Sequence, residues 1–211
     1  MSVSSSVKIQ RIVRSLAGHY GEIAWWPGDT DVVMIGAILT QQTWWENVER
    51  GLHELQKNGL DSMQLLYSAE KQDIEYAICF TGFYRKKAQR LQSLVNHVME
   101  SFSCVENMRN FPTQILRAGL HKVKGICEEI ADNILCYGFL RTSFVIDAYT
   151  KRIVRYSDVN DKRQKLKLLF ESVLPEYHRV YQQTHAHMME YTKEFCGKKR
   201  CSECILVNLN G

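Results

Sequence analysis

The chain has 211 residues, of which 45% are hydrophobic and 24% charged, and it contains only three prolines and twelve glycines. These proportions exclude an intrinsically disordered chain and argue against a turn-rich β-sandwich. The net charge of +4 permits a polyanionic partner without demanding one. The N-terminal stretch lacks the apolar core of a secretion signal, and no apolar run approaches the roughly 20 residues of a membrane span. We therefore expect a cytoplasmic protein with no membrane partner, whose seven cysteines are reduced thiols.

Apolar residues recur at helical spacing along almost the whole chain. Asp29 or Thr30 can cap a strongly apolar helix over 32–39, and a polar break at 40–43 follows that helix. No alternating strand, repeat or low-complexity linker appears, so we predict an all-α chain. The other helices are predicted over 7–20, 44–57, 62–68, 71–79, 85–101, 112–119, 128–138, 147–156, 160–173 and 176–194.

The run from Leu120 to Ala131 predicts two helices joined by a tight turn, KGIC, at 124–127. A turn of this kind directs backbone N–H groups outward at a helix start, where they and the helix dipole suit a phosphate group. Lys122 and Lys124 would add positive charge. The alternative is an ordinary helical turn, because Cys127 stands where a second glycine is usual.

A single carboxylate, Asp147, follows three apolar residues. It could cap the next helix, since Thr150 lies three residues further on. It could also be a partly desolvated carboxylate that faces a substrate cleft. The spacing alone favours the cap.

Four segments in the same order resemble the endonuclease III superfamily of helix-hairpin-helix DNA glycosylases: WWPGDTDVVMIGAILTQQTWWENV, TGFYRKKAQRL, KGICEEIADNILCY and FVIDAYTKRI. They are most similar to the endonuclease III-related branch, whose characterised type is a 3-methyladenine DNA glycosylase. The resemblance covers roughly 23–195 and implies a two-lobe all-α fold. A six-helix barrel lobe would span 27–137, and residues 1–26 and 138–211 would form the second lobe.

The resemblance implies that Asp147 is the catalytic carboxylate, which stabilises the oxocarbenium-like sugar and orients or activates water. Bifunctional members carry a lysine after the hairpin that forms a Schiff base with the sugar. That position is Glu129 here, and a carboxylate cannot form an imine. We therefore expect a monofunctional enzyme that leaves an abasic site, with Lys124 or Lys151 as the alternative nucleophile.

Gln42 matches the family position that fills the stack vacated by a flipped base. Gln41 and Gln42 could instead be loop residues with capping contacts. The adenine glycosylases that act at mispairs share the string QQT but carry a catalytic glutamate six residues before its threonine. That position is Ala37 here, which argues against their branch.

All four tryptophans lie close together in sequence, at Trp25, Trp26, Trp44 and Trp45. Tryptophan faces attract cations and stack on bases, so a pocket built from them would favour a positively charged alkylated purine. We expect Trp25 or Trp26 together with Trp44 to form this pocket. Core packing is the alternative, and we expect it for at least two of the four.

Basic residues offer contacts to the DNA backbone at three places. Arg85, Lys86, Lys87 and Arg90 cluster at one helix start, although most charge runs are simply solvated. Lys151 and Arg152 follow the candidate catalytic carboxylate. The backbone contacts that we predict are Lys122, Lys124, Gly125, Cys127 and Arg152.

Three C-terminal cysteines, Cys196, Cys201 and Cys204, lie where many members of the family bind a [4Fe–4S] cluster. No fourth cysteine follows, so the thiolate set is incomplete. His185 or His187 could complete a Cys3His zinc site, though with loose spacing. We favour no metal, then an iron–sulfur cluster with an outside ligand, then zinc.

The sequence therefore predicts a base-excision DNA glycosylase that acts on damaged duplex DNA as a monomer, in the cytoplasm or on a bacterial nucleoid. We expect hydrolysis of alkylated purines, with 3-methyladenine foremost. Oxidised pyrimidines or other damaged bases are the alternative substrates. A helix-hairpin-helix DNA-binding protein without catalysis is the alternative outside the enzymes.

Overall fold

A computed structural model of the protein describes residues 4–24, 28–156 and 159–206. All regular structure in these ranges is helical, so the predicted all-α class is confirmed. No helix in these ranges is both long and apolar enough to cross a membrane. The α-helices in chain order are α1 (Ser5–Tyr20), α2 (Thr30–Leu39), α3 (Trp45–Lys57), α4 (Met63–Tyr67), α5 (Lys71–Ala77), α6 (Tyr84–Phe102), α7 (Val105–Met108), α8 (Thr113–Lys122), α9 (Glu128–Asn133), α10 (Ala148–Tyr156), α11 (Arg163–Val173) and α12 (His178–Tyr191).

The chain divides into two compact units. The central unit comprises residues 26–139, and the terminal unit combines residues 1–25 with 140–211. Two helices extend into single turns of π-helix, α9 over Ile134–Gly138 in the central unit and α12 over Thr192–Cys196 in the terminal unit.

The central unit is built around α2, whose apolar side chains are buried on every face. The Asp29 side chain caps this helix by accepting a hydrogen bond from the Val32 N–H at 3.0 Å, as predicted. The Thr30 hydroxyl donates to the Gly138 carbonyl at 2.9 Å, which ties the start of α2 to the end of the unit. A helix that is apolar all round must lie inside a protein, so the sequence of α2 dictates its central place.

The terminal unit packs α1 against α11 and α12, and α10 against α12. Its core contains a stacked pair of rings, Phe144 and Phe170, with centroids 4.4 Å apart, and the Tyr181 ring meets Phe144 edge-on at 5.7 Å. Lys167 donates to the Phe144 carbonyl at 3.1 Å, while Glu171 accepts from the Phe144 N–H at 2.9 Å. The extended segment before α10 is therefore fixed by side chains of α11.

The end predicted for one helix was wrong, and one short helix was not predicted. Helix α8 does not end at Gly119 but continues to Lys122. Gly119 lies against the His97 side chain, where an added Cβ would come within 3.0 Å of the ring, so this glycine permits close packing inside the helix. The short helix α7 was not predicted, because four residues are too few to show a helical period.

A buried ion pair joins the helices on either side of the turn at 123–127. Arg117 of α8 donates from Nε to Asp132 Oδ1 at 2.8 Å and from a terminal nitrogen to Oδ2 at 3.2 Å. The Asp132 side chain is 1% exposed and that of Arg117 is 25% exposed. Two parallel bonds of this kind fix both the distance and the orientation of the helices.

Replacing Asp132 by Asn should lower the free energy of unfolding by about 3 kcal/mol, because a buried ion pair loses one partner. Chemical denaturation monitored by circular dichroism would measure the change. The matched control is Asp161→Asn, which breaks the more exposed pair of Asp161 and Lys165 at 2.7 Å and should change stability by less than about 1 kcal/mol. Equal effects of the two variants would contradict a structural role for the Arg117–Asp132 pair.

Candidate active site

Asp147 lies in the terminal unit, at the junction between the buried segment 143–146 and α10. The Thr150 N–H donates a hydrogen bond to Asp147 Oδ1 at 2.6 Å, so the predicted helix-capping contact is present. The residue is 6% exposed. Capping therefore uses one carboxyl oxygen and fixes the direction of the other.

The second carboxyl oxygen faces a histidine that the sequence analysis considered only as a metal ligand. His185 Nε2 of α12 lies 3.5 Å from Asp147 Oδ2, and the two side chains are 3% and 9% exposed. The partner comes from a helix far along the chain, so no spacing pattern in the sequence pointed to this pair. A buried carboxylate with a histidine beside it is a typical arrangement for chemistry rather than for capping alone.

The environment of Asp147 favours its charged form. Burial alone would raise the pKa of this carboxyl group. The neighbouring ring of His185 and the hydrogen bond from the Thr150 N–H outweigh burial and hold the pKa of Asp147 below its ordinary value. The site therefore keeps a negative charge in a nearly water-free position at neutral pH.

Helix α10 presents a basic and aromatic face directly after Asp147. An open groove of about 670 Å³ runs along it and is lined by Tyr149, Lys151, Arg152, Arg155 and Tyr156. Arg152, one of the predicted DNA contacts, is exposed there. Cations and aromatic rings along one helix suit a nucleic-acid backbone.

The central unit contains the two predicted helices joined by a tight turn, at 113–133, and this helix-hairpin-helix is here called the hairpin. Its turn is closed by bonds from the Val123 N–H to the Leu120 carbonyl and from the Ile126 N–H to the Val123 carbonyl, both 3.1 Å. The Val123 and Ile126 side chains are buried, while Lys122 and Lys124 are exposed. Both lysines are therefore placed where a phosphate group could reach them.

The two positions that are usually glycine in such a turn have different backbone requirements. Gly125 has a φ of +94°, which side-chain-bearing residues rarely adopt. Cys127 has φ −85° and ψ 172°, an extended conformation open to any residue, and its thiol is exposed. The cysteine is therefore compatible with the hairpin. Glu129, at the position of the lyase lysine, is half-buried in the first turn of α9.

The polar break after α2 separates the two glutamines into different roles. Gln42 is exposed and has a φ of +53°, a left-handed conformation that is uncommon without glycine. Gln41 is half-buried, and its Oε1 accepts a hydrogen bond from Arg90 of α6. Only Gln42 therefore offers its side chain to a partner.

The structure describes two of the four tryptophans. Trp25 and Trp26 lie outside the described residues. Trp44 is 79% exposed at the start of α3, whereas Trp45 packs against the core of the central unit. The side chains of Trp44 and Gln42 are therefore both available to a partner.

The basic start of α6 does not form the predicted phosphate patch as a whole. Lys87 is 1% exposed, and its Nζ donates to the carbonyls of Leu39 at 2.8 Å and Thr81 at 2.6 Å. Burial and the nearby charge of Arg90 lower the pKa of Lys87 to about 8. The phosphate prediction for Lys87 is therefore wrong, because this lysine caps carbonyl groups inside the unit. Arg85 is exposed and lies 3.9 Å from Glu75.

The three C-terminal cysteines have different surroundings. The Tyr191 hydroxyl donates to Cys204 Sγ at 2.9 Å, and burial raises the pKa of the Cys196 thiol; Cys201 is exposed. Within the described ranges, no three His, Cys, Asp or Glu side chains are grouped to hold a metal ion.

The histidines considered as zinc ligands have other contacts. His187 Nε2 lies 2.6 Å from the Gly21 carbonyl oxygen, and His185 faces Asp147. Neither of these two histidines is therefore grouped with the cysteines within the described residues.

Comparison with known proteins agrees with this set of features. The model of the HhH-GPD superfamily of base excision DNA repair proteins matches residues 35–176. A Methanocaldococcus jannaschii protein named "Putative DNA repair glycosylase MJ1434" is 38% identical over 203 residues, which cover 93% of this chain and 92% of that protein. Endonuclease III of Thermotoga maritima is 26% identical over 184 residues, with 83% and 80% covered.

Solved structures share the fold at lower identity. The H. pylori 3-methyladenine DNA glycosylase MagIII bound to 1,N6-ethenoadenine aligns with a TM-score of 0.77 and 24% identity, covering 91% of this chain and 98% of that one. A non-covalent endonuclease III–DNA complex aligns with a TM-score of 0.81 and 16% identity, covering 98% and 95%. The chain therefore belongs to the HhH-GPD superfamily of base excision DNA repair proteins and has the two-lobe glycosylase fold of that superfamily.

Proposed function

We propose that this protein is a DNA glycosylase that hydrolyses the N-glycosidic bond of a damaged base flipped from duplex DNA. The observation that carries the proposal is the Asp147 carboxylate, which is buried and ionised, with Oδ1 hydrogen-bonded to the Thr150 N–H and Oδ2 at 3.5 Å from the His185 ring. A fixed negative charge in a site that excludes water stabilises the positive charge that develops on the sugar as the base departs. Asp147 would also orient the water that adds to the sugar.

The DNA contacts follow from the exposed groups of each unit. In the central unit, Lys122, Lys124 and the turn at Gly125 and Cys127 would hold the phosphate backbone. In the terminal unit, Arg152 would add a further contact. The proposal is supported by the structural similarity to an endonuclease III–DNA complex.

Gln42 would fill the gap left by the flipped base. Its left-handed backbone and exposed side chain support this role, because strained conformations outside glycine concentrate at functional positions. An inserted amide offsets part of the few kcal/mol that unstacking costs.

The substrate class that we favour is an alkylated purine of the 3-methyladenine kind. Such a base is cationic and already a good leaving group, so hydrolysis needs a carboxylate and little else. The exposed face of Trp44 supports this choice, because tryptophan attracts cations and stacks on bases. The MagIII structure, which holds an ethenoadenine, shares the fold and so supports purine chemistry as the first to test.

Asp147→Asn should lower the rate of base release from methylated duplex DNA by at least about 100-fold, because the amide carries no charge. Asn caps helices as well as Asp does, so the fold should be retained. The released bases, separated by chromatography, would identify the substrate. Asp161→Asn is the matched control, since it removes a carboxylate elsewhere in the terminal unit and should leave the rate unchanged.

A variant as active as wild type would contradict the role of Asp147. If wild type binds duplex DNA but releases no alkylated purine, the substrate class is wrong. Duplexes with oxidised pyrimidines would then be tested: base release would indicate a glycosylase for another lesion, and no release would favour a protein that only binds DNA.

Glu129 in place of the lyase lysine predicts an enzyme without strand cleavage. Borohydride should trap no covalent complex with damaged or abasic DNA, because no imine forms at a carboxylate. Gel electrophoresis under denaturing conditions would show a complex if one formed. A trapped complex that Lys124→Ala or Lys151→Ala abolishes would overturn this prediction and identify the nucleophile.

The pH profile should depend on His185. Activity requires the Asp147 carboxylate and is lost as the pH falls through the pKa of that group. His185→Gln removes the ring that helps to hold the pKa of Asp147 low, so the pKa of Asp147 rises and the acidic limb of the single-turnover rate moves to higher pH. His187→Gln changes a buried histidine on the same helix that contacts Gly21 instead, and its acidic limb should not move. An unmoved limb in His185→Gln would contradict the pairing.

A further inference from the structure

We propose that Arg90 is a positioning residue that fixes the Gln42 loop, residues 40–43, relative to the hairpin turn, residues 123–127. The inference rests on the proposed function, in which both segments contact DNA. It assigns a role to the segment TGFYRKKAQRL, which the proposed chemistry leaves unexplained. All residues involved belong to the central unit.

Arg90 holds the loop through Gln41. A terminal nitrogen of its guanidinium donates to Gln41 Oε1. Within the described residues the Gln41 Nε2 atom is buried and has no hydrogen-bond partner, so this amide depends on the Arg90 bond for its orientation. The next residue is Gln42, whose backbone is left-handed and whose side chain is exposed. Fixing Gln41 therefore fixes the direction in which Gln42 points.

The same side chain lies across the hairpin turn. A Cβ added to Gly125 would come within 2.7 Å of Arg90 Cδ and 2.8 Å of Nε, distances that real Cβ atoms essentially never show. The hairpin glycine is thus required for two reasons, its φ of +94° and the arginine that occupies its side-chain space. Arg90 contacts both DNA-binding segments and fixes their separation.

Lys87, one helical turn earlier on α6, fixes the start of the same loop. Its Nζ donates to the carbonyl of Leu39, the last residue of α2, and to that of Thr81. The loop 40–43 is therefore held from one side of α6 at the residue that precedes it, Leu39, and at its second residue, Gln41. An arginine suits the second contact because its planar fork directs donors rigidly, which a lysine does not.

The geometry matters because a stack-filling side chain must enter the duplex at a set distance from the phosphates that the hairpin binds. A displacement of about 1 Å in a positioning element can lower a rate by as much as about 100-fold. Arg90 thus acts through Gln41 and Gly125. This role differs from both a phosphate contact and simple solvation, the two alternatives that the sequence left open for the basic start of α6.

A double-mutant cycle of Arg90→Met and Gln41→Ala tests the proposal. Methionine keeps an unbranched chain over Gly125 and removes the donors. Each single variant should slow single-turnover excision from a paired alkylated duplex by roughly 10-fold or more. The double variant should be no slower than the slower single, because both changes break one contact. Excision of the same lesion from a bulge, where no stack needs filling, should change less than threefold.

Three control variants separate positioning from charge. Arg90→Lys keeps the charge and should behave like Arg90→Met, whereas Gln41→Glu keeps an acceptor and should stay near wild type. Lys57→Ala removes an exposed cation elsewhere in the central unit and should leave excision unchanged. The proposal would be overturned if the two single effects multiplied in the double variant. It would also be overturned if Arg90→Lys kept wild-type excision while Arg90→Met showed a smaller salt dependence of duplex binding, because this pair of results indicates a phosphate contact.

Amide hydrogen exchange of the free protein tests the contact independently of any activity. Exchange should rise at 40–43 in Gln41→Ala and at both 40–43 and 123–127 in Arg90→Ala, with other segments of α6 unchanged. Unaltered exchange in both segments would overturn the proposal. If wild type releases no base but the exchange pattern appears, the proposed substrate fails while the positioning role of Arg90 stands.

Discussion

The Asp147 carboxylate, buried between a helix start and a histidine, is the interaction on which the proposed chemistry depends. The Thr150 N–H donates to Asp147 Oδ1, and the ring of His185 lies 3.5 Å from Oδ2. Lys167 and Glu171 in turn hold the segment that carries Asp147 through the backbone of Phe144. Burial of a charge is costly unless it is paired, so these contacts are the condition for keeping the group ionised. Within the terminal unit, these contacts together hold one negative charge in a fixed position.

The central unit has a different task, which is to present backbone and side-chain groups at defined positions. The Arg117–Asp132 pair joins the two hairpin helices, Lys87 donates to the carbonyls of Leu39 and Thr81, and Arg90 lies between the loop and the turn. From their charge alone, these three cations would be expected to contact DNA or solvent, but each makes a contact within the central unit instead. Lys122 and Lys124, in contrast, are exposed at the hairpin turn, where a phosphate group could reach them.

The sequence sufficed for the helical class, the Asp29 cap, the hairpin and the capping contact of Asp147, because these follow from periodicity and from spacings of three or four residues. The pairing of Asp147 with His185 and the burial of Lys87 could not be predicted. Both depend on contacts between segments far apart in the chain, and a lysine in a basic run looks the same whether its Nζ meets water or a carbonyl. The end of α8 was mispredicted at Gly119 for a related reason. Only the packing of His97 against this residue shows that the glycine allows a close contact and does not end the helix.

Binding of charged and neutral abasic analogues tests the central account most directly. A duplex that holds a cationic pyrrolidine in place of the sugar mimics the developing positive charge, and a tetrahydrofuran analogue has the same shape without the charge. We predict that wild type binds the cationic duplex much more tightly than the neutral one, and that Asp147→Asn binds both alike. Equal preference for the cation in wild type and variant would contradict the claim that Asp147 provides the stabilising charge.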